Sequence, residues 1–196
     1  MRNTRTLTLA AVAVSATLAL TACGGDSGSA ASAPSVSAEA STGAHNAQDV
    51  SFAQGMIPHH QQAVEMAELA ADRASATEVK DLAARVEKAQ GPEITTMTGW
   101  LKTWGKEVPE SMPGMGHSGM GGMMSEADLG KLGKMSGKDF DTMFLTMMVE
   151  HHEGAVEMAT TEKAKGAYPA AIALAGDIVT AQNAEITEMK KLLGES

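Results

Sequence analysis

At 196 residues, with a net charge of -9, three per cent aromatic residues and a single cysteine, the chain excludes several classes at once. An acidic balance offers no basic face to nucleic-acid phosphates, and one cysteine allows no internal disulfide. The length is that of one domain with appendages.

Residues 1–22 read as an export signal. Arg2 and Arg5 give the positive start, Leu7 to Leu20 an apolar run, and Leu20, Thr21 and Ala22 lead to Cys23 as the processing site. The run is short of the about 20 apolar residues that span a membrane. With Gly24 and Gly25 following, this stretch resembles a bacterial lipobox, which implies cleavage before Cys23 and lipidation of its thiol. No thiolate is then left for catalysis or metal binding, and loss of Arg2 and Arg5 takes the net charge from -9 to -11. Residues 23–48, mostly Gly, Ser, Ala and Thr, carry too little apolar surface to offset the entropy of ordering and are expected to form a disordered tether.

The folded domain is expected over residues 49–194, as a hairpin (49–105), a crossover (106–137) and a second hairpin (138–194). This division follows from an internal repeat. Offset by 92 positions, residues 49–67 (DVSFAQGMIPHHQQAVEMA) and 141–159 (DTMFLTMMVEHHEGAVEMA) share ten of nineteen residues, and 89–101 and 181–193 share seven of thirteen. One offset serves both blocks, so the repeated unit is a pair of helices.

In the first helix Phe52, Met56, His59, Ala63, Met66 and Ala70 recur at intervals of three and four, a single helical stripe. Asp49 is expected at its start, as N-cap or first-turn acid. A second helix follows a Ser75–Glu78 capping box, with Val79, Leu82, Val86, Gln90, Met97 and Trp104 as its seam. Pro58 and Gly91-Pro92 are expected to bend these helices. The crossover holds MPGMGHSGMGGMM, residues 112–124, and one short helix near 126–135. The third helix repeats the stripe as Phe144, Met148, His151, Ala155 and Met158, opening near Asp141. The fourth starts after Tyr168 and Pro169, carries Ile172, Ala175, Val179, Gln182 and Met189, and stops near Gly194. Four amphipathic helices without strand-like alternation give an all-α four-helix bundle.

The chemistry rests on MIPHH and MVEHH. Each places a thioether (Met56, Met148) one turn before two adjacent imidazoles (His59 and His60, His151 and His152). A buried imidazole without a partner costs about 1 to 3 kcal/mol, and the duplication repeats that risk in both halves. A shared cation satisfies the rings together. Met66 and Met158 lie two turns on and join the candidate ligands, although each taken singly also suits packing. Thioether beside imidazole suits copper, Cu(I) more than Cu(II), with zinc or another divalent metal less suited. A carboxylate-bridged di-iron bundle needs Glu-x-x-His on two helices, and here methionine stands in the glutamate's place. Gln90, Glu93, Gln182 and Glu185 form a repeated polar column that either orients the imidazoles or fixes helix register. In the crossover, Met112, Met115, His117, Met120, Met123 and Met124 are candidates for secondary capture of a soft ion.

The pattern DVSFAQGMIPHHQQAVEMAELA followed by FLTMMVEHHEGAVEMA resembles the bacterial family called domain of unknown function 305. The resemblance runs from about Asp49 to Leu193 and implies a ferritin-like helical fold, export, and in some members copper binding. It places that function on Met56, His59, His60, Met66, Met148, His151, His152 and Met158. The expected function is therefore copper sequestration or transfer by a lipid-anchored protein outside the cytoplasm or in the periplasm. No Ser/His/Asp set, nucleophilic cysteine or phosphate loop points to catalysis. A ferritin-like redox enzyme such as a cuprous oxidase, and a metal-free envelope interaction protein, are the alternatives. The expected partners are a metal ion and a membrane reached through the anchor, with no nucleic acid; a homo-oligomer and a copper-transfer partner are left open.

Overall fold

The computed structural model describes residues 43–110 and 121–195. It contains α1 (Ala47–Arg73), α2 (Thr77–Thr103), a short α3 (Glu126–Leu132), α4 (Gly137–Lys165) and α5 (Pro169–Leu192). Among the described residues there is no strand, only an isolated bridge between Ala74 and Gly137. The helices α1 and α2 form one hairpin and α4 and α5 the other, and α1 against α4 makes the seam between them. This is the expected all-α four-helix bundle, with α3 as an addition on the crossover. Cys23, Met112, Met115, His117 and Met120 lie outside the described residues.

The stripe on α1 is buried along its whole length, from Phe52 to Ala70. Pro58 and Pro92 both sit inside helices that continue past them, so neither ends its element. Asp49 falls in the first turn of α1, one of the two places expected for it. Asn46, not Asp49, caps α1: its side chain accepts from the N–H groups of Gln48 and Asp49 at 2.7 and 3.1 Å, and Asp49 returns the bond to the Asn46 N–H. Order therefore begins inside the segment read as tether. The Ser75–Glu78 box is not formed: the N-cap of α2 is Ala76, whose side chain can accept no hydrogen bond.

The reason lies in Asp141. It is not at the start of α4 but a turn inside it, where it accepts from the N–H groups of Ser75 and Ala76 at 2.9 and 3.0 Å and from the Ser75 hydroxyl. Asp49 does the equivalent for the other hairpin, accepting from the N–H groups of Ala167 and Tyr168 at 3.0 and 2.9 Å. Ala167 and Tyr168 stand in the second copy where Ser75 and Ala76 stand in the first. Each hairpin's first helix thus caps the other hairpin's second helix, supplying a charged acceptor to N–H groups that the helix cannot satisfy itself.

The apolar interior divides in two. One cluster gathers Met66, Leu82, Val86, Phe140, Phe144, Met148 and Met189, with Leu132 of α3 set into it. The other gathers Phe52, Met56, Met97, Leu101, Ala155 and Ile178. At the pole where residue 45 arrives, His45 stacks on Trp104 with ring centroids 4.4 Å apart, and Tyr168 meets Trp100 and Trp104 edge-on. A layer of buried polar side chains, His59, His60, Gln90, His151, His152 and Gln182, belongs to neither cluster.

Candidate metal centre

The four helices deliver the polar layer symmetrically. His60 and His152 are fully buried, and each points Nε2 at a carboxylate on the neighbouring helix of its own hairpin: Glu93 Oε2 at 2.6 Å and Glu185 Oε2 at 2.8 Å. A carboxylate can only accept, so each ring donates its Nε2–H, and in the neutral ring Nδ1 carries the free lone pair. The other two histidines meet across the α1–α4 seam. Their ring centroids are 3.8 Å apart with planes tilted by 44°. His59 donates from Nε2 to the Gly121 carbonyl at 3.3 Å, while neither nitrogen of His151 has a partner.

The layer is therefore rich in unused donors. His59 Nδ1, His60 Nδ1, His152 Nδ1 and both nitrogens of His151 are buried without a hydrogen bond, as are Gln90 Oε1 and Gln182 Oε1. Burial, followed by the neighbouring His60, lowers the His59 imidazole to a pKa of about 3. Burial followed by His59 drives His151 the same way. Both rings are thus neutral at physiological pH, the form in which imidazole offers a lone pair to a cation. Among the described residues no three His, Cys, Asp or Glu side chains are assembled into a complete set, so a further donor to the His59–His151 pair would have to come from sulfur, a carbonyl or a ring rotation.

Sulfur brackets the layer. Met56 lies one turn before His59 in one apolar cluster, and Met148 one turn before His151 in the other; both are fully buried. Met66 is also fully buried but packs in the cluster of Phe140 and Phe144. Seven residues separate it from His59, about 10 Å along the axis. Met158 stands at the same distance from His151 and is half-buried in a surface cleft. The structure thus brings His59 and His151 together, with Met66 and Met158 two helical turns further along their helices. Gln90, Glu93, Gln182 and Glu185 all lie in or beside the layer. Of the crossover methionines that are described, Met124 packs against the apolar cluster that holds α3.

Sequence reasoning missed the strap that the crossover lays over the layer. Gln62 grips Met124 through both amide atoms, donating to its carbonyl at 3.0 Å and accepting its N–H at 2.7 Å. On α4, Gly154 lets the strap approach so closely that a Cβ there would overlap the Gly121 carbonyl. Gly122 adopts φ +82°, and a side chain on it would crowd the Glu150 carbonyl. The repeat carried the clue, since HHQQ in one copy becomes HHEG in the other.

A bundle of two interlocked hairpins around a layer of paired imidazoles and carboxylates defines a class, and comparison with known proteins gives it a name. The family model described as Domain of unknown function (DUF305) matches residues 49–193, and the chain belongs to that family. A DUF305 protein from Streptomyces coelicolor is 37% identical, with a TM-score of 0.69 over 76% of this chain and 93% of that one. A DUF305 fragment from Deinococcus radiodurans is 32% identical, with a TM-score of 0.69 over 77% and 98%. CopM in its Cu(II)-bound form is 36% identical, with a TM-score of 0.66 over 74% and 95%; its Cu(I)-bound form is 34% identical, with a TM-score of 0.63 over 74% and 94%. No curated protein matches the chain.

Proposed function

We propose that this protein binds copper outside the cytoplasm and stores or passes it on, holding the ion in the buried layer of His59, His60, His151 and His152 with Met56 and Met148 as flanking sulfur donors. One observation carries the reading: five ring nitrogens, buried in one layer, have no hydrogen-bond partner. At about 1 to 3 kcal/mol for each unsatisfied group, such a layer is costly unless a ligand takes up the lone pairs, one on each ring, the second His151 nitrogen carrying its N–H. The carboxylates support it. A metal-binding histidine commonly donates its second N–H to a carboxylate, which orients the ring and raises its basicity, and Glu93 and Glu185 stand in that relation to His60 and His152.

Neutral imidazoles with neighbouring thioethers favour Cu(I) over harder divalent ions. CopM, crystallised with Cu(I), Cu(II) and silver, adds weight through its identity with this chain. A lipidated Cys23 would fix the protein to a membrane surface, and Met112, Met115, His117, Met120 and Met123 would gather the soft ion nearby.

The test is the double variant His59→Ala/His151→Ala. It should keep its helical circular dichroism and lose the copper bound by the bundle, together with the thermal shift that copper produces. Unchanged copper stoichiometry and unchanged thermal shift in that variant would overturn the assignment.

A further inference from the structure

The groove between α1 and α4 is built in two opposite ways. In the half nearer the start of α4, Phe140, Met143 and Met147 share one apolar cluster with Leu69 of α1 and with Leu129 and Leu132 of α3. The repeat puts Gln48, Ser51 and Gly55 where those three apolar residues stand, and Thr161 where Leu69 stands. In that second half the same groove becomes a cleft of about 340 Å³. Every one of these exchanges replaces a larger apolar side chain with a polar or smaller one, so the cleft is written into the sequence at this end of the groove and not left by chance packing.

Two further features connect the cleft to the polar layer. Gly121 lines it and is also the residue whose carbonyl accepts from His59. Among the described residues, the Gly121 backbone thus joins the cleft to the Nε2 side of an imidazole whose other nitrogen, Nδ1, has no partner. Opposite Gly121, the wall carries Glu157, an exposed carboxylate, and Met158, a half-buried thioether. Met158 is set too far along α4 to share the buried layer with His151 at rest, but it stands on the approach to it.

We infer that the cleft is the port by which a soft cation reaches and leaves the His59–His151 pair, with Glu157 attracting the ion at the rim and the Met158 sulfur holding it in transit. This rests on the copper reading above. No bond to carbon is made or broken and no electron is transferred: the ion exchanges water for carboxylate, thioether and then imidazole, keeping its oxidation state. Obstructing a route slows arrival and departure by the same factor, so the equilibrium constant does not move. That separates a port residue from a ligand, whose loss weakens binding.

The experiment gives the cleft the residues of the filled half, as Ser51→Met/Gly55→Met, beside Met158→Leu and the control Gly99→Ala, a helix position with open space around it. Anaerobic stopped-flow mixing follows uptake of Cu(I), and of Ag(I) as a redox-inert probe, from a coloured chelator. The filled variant should load and unload about tenfold more slowly, with Kd within about twofold of wild type, and Met158→Leu should slow loading by a smaller factor. Gly99→Ala should load as wild type does. If the double variant fails to fold, the exposed Ser51→Met alone carries the test. Unchanged rates in the filled variant, or a Kd that shifts with the rate of loading, would overturn the port while leaving the copper reading standing. A wild-type protein that binds neither ion would overturn both.

Discussion

His60 with Glu93 and His152 with Glu185 make the same bond across the same 33 residues in the two hairpins, at 2.6 and 2.8 Å. Two positions after each of these histidines the hairpins part: Gln62 clasps the crossover by its backbone, while Gly154 withdraws to let the crossover pass. A single strap lies over a near-twofold bundle, so it cannot meet both halves alike, and the residues beneath it diverge to fit. Where the hairpins meet only each other, the chemistry stays paired. The carboxylates that cross between hairpins, Asp49 and Asp141, belong to the paired part, as do the histidines.

The largest expected effect comes from breaking that pairing. Asp141→Ala removes three hydrogen bonds to a carboxylate and strands the N–H groups of Ser75 and Ala76. A loss on the order of 3 kcal/mol is expected, or a fall in Tm of roughly 10 °C for a domain of this size. Asp49→Ala should cost a comparable amount, because it strands Ala167 and Tyr168 and also opens the capping box on Asn46. Thermal unfolding of the two variants side by side checks the symmetry. A cost below about 1 kcal/mol for both would mean that reciprocal capping does little to join the hairpins.

The divergent part can be broken separately. In Gly154→Ala the new methyl group collides with the Gly121 carbonyl, so the strap or α4 must shift. Overpacking of this kind costs about 1 to 3 kcal/mol, enough to outweigh the gain of about 1 kcal/mol that alanine brings to a helix interior. Gly99→Ala, with nothing near its Cβ, should show only that gain. Amide exchange at Met124 should quicken in Gln62→Ala, which deletes both bonds to that residue. Unaltered exchange there would show that the strap is held by something other than Gln62.

The paired features were legible and the divergent ones were not, for a physical reason. Helical spacing and the repeat exposed the bundle, the two His pairs and the Glu93/Glu185 column, because each leaves a periodic trace in the chain. The seating of the strap depends on which copy lies under the crossover, and spacing does not encode that. Ser-x-x-Glu at Ser75 suits a local cap, yet a carboxylate from a distant helix competes for the same hydroxyl and wins. Met66 and Met158 share the histidine stripe two turns on, and spacing alone does not tell a packing thioether from a ligand. Glu162 leaves no periodic trace. Its counterpart in the first copy is Ala70, a buried apolar position, and that exchange was the available signal.

Glu162 supplies the smallest and most specific prediction. It is fully buried on α4 and its carboxyl oxygens have no hydrogen-bond partner. Burial, followed by the nearby Asp49, raises its pKa from 4.5 to about 7. Burial also acts on Asp49, but the N–H groups of Asn46 and Tyr168 outweigh it and lower that carboxyl's pKa, so the proton resides on Glu162. Between pH 4.5 and about 7 the folded chain keeps this proton while the unfolded chain has lost it. The contribution of Glu162 to stability therefore declines as pH rises through that window and is level above it. His59 has the opposite slope: with its pKa lowered from 6.5 to about 3, it makes stability rise with pH over that interval. The wild-type profile mixes the two, but the difference between Glu162→Gln and wild type removes the histidines. That difference should favour the variant near pH 8 and vanish near about pH 4, since glutamine matches the neutral acid and does not ionise. A difference that is flat with pH would mean that Glu162 is charged in the folded protein and that the proton lies elsewhere.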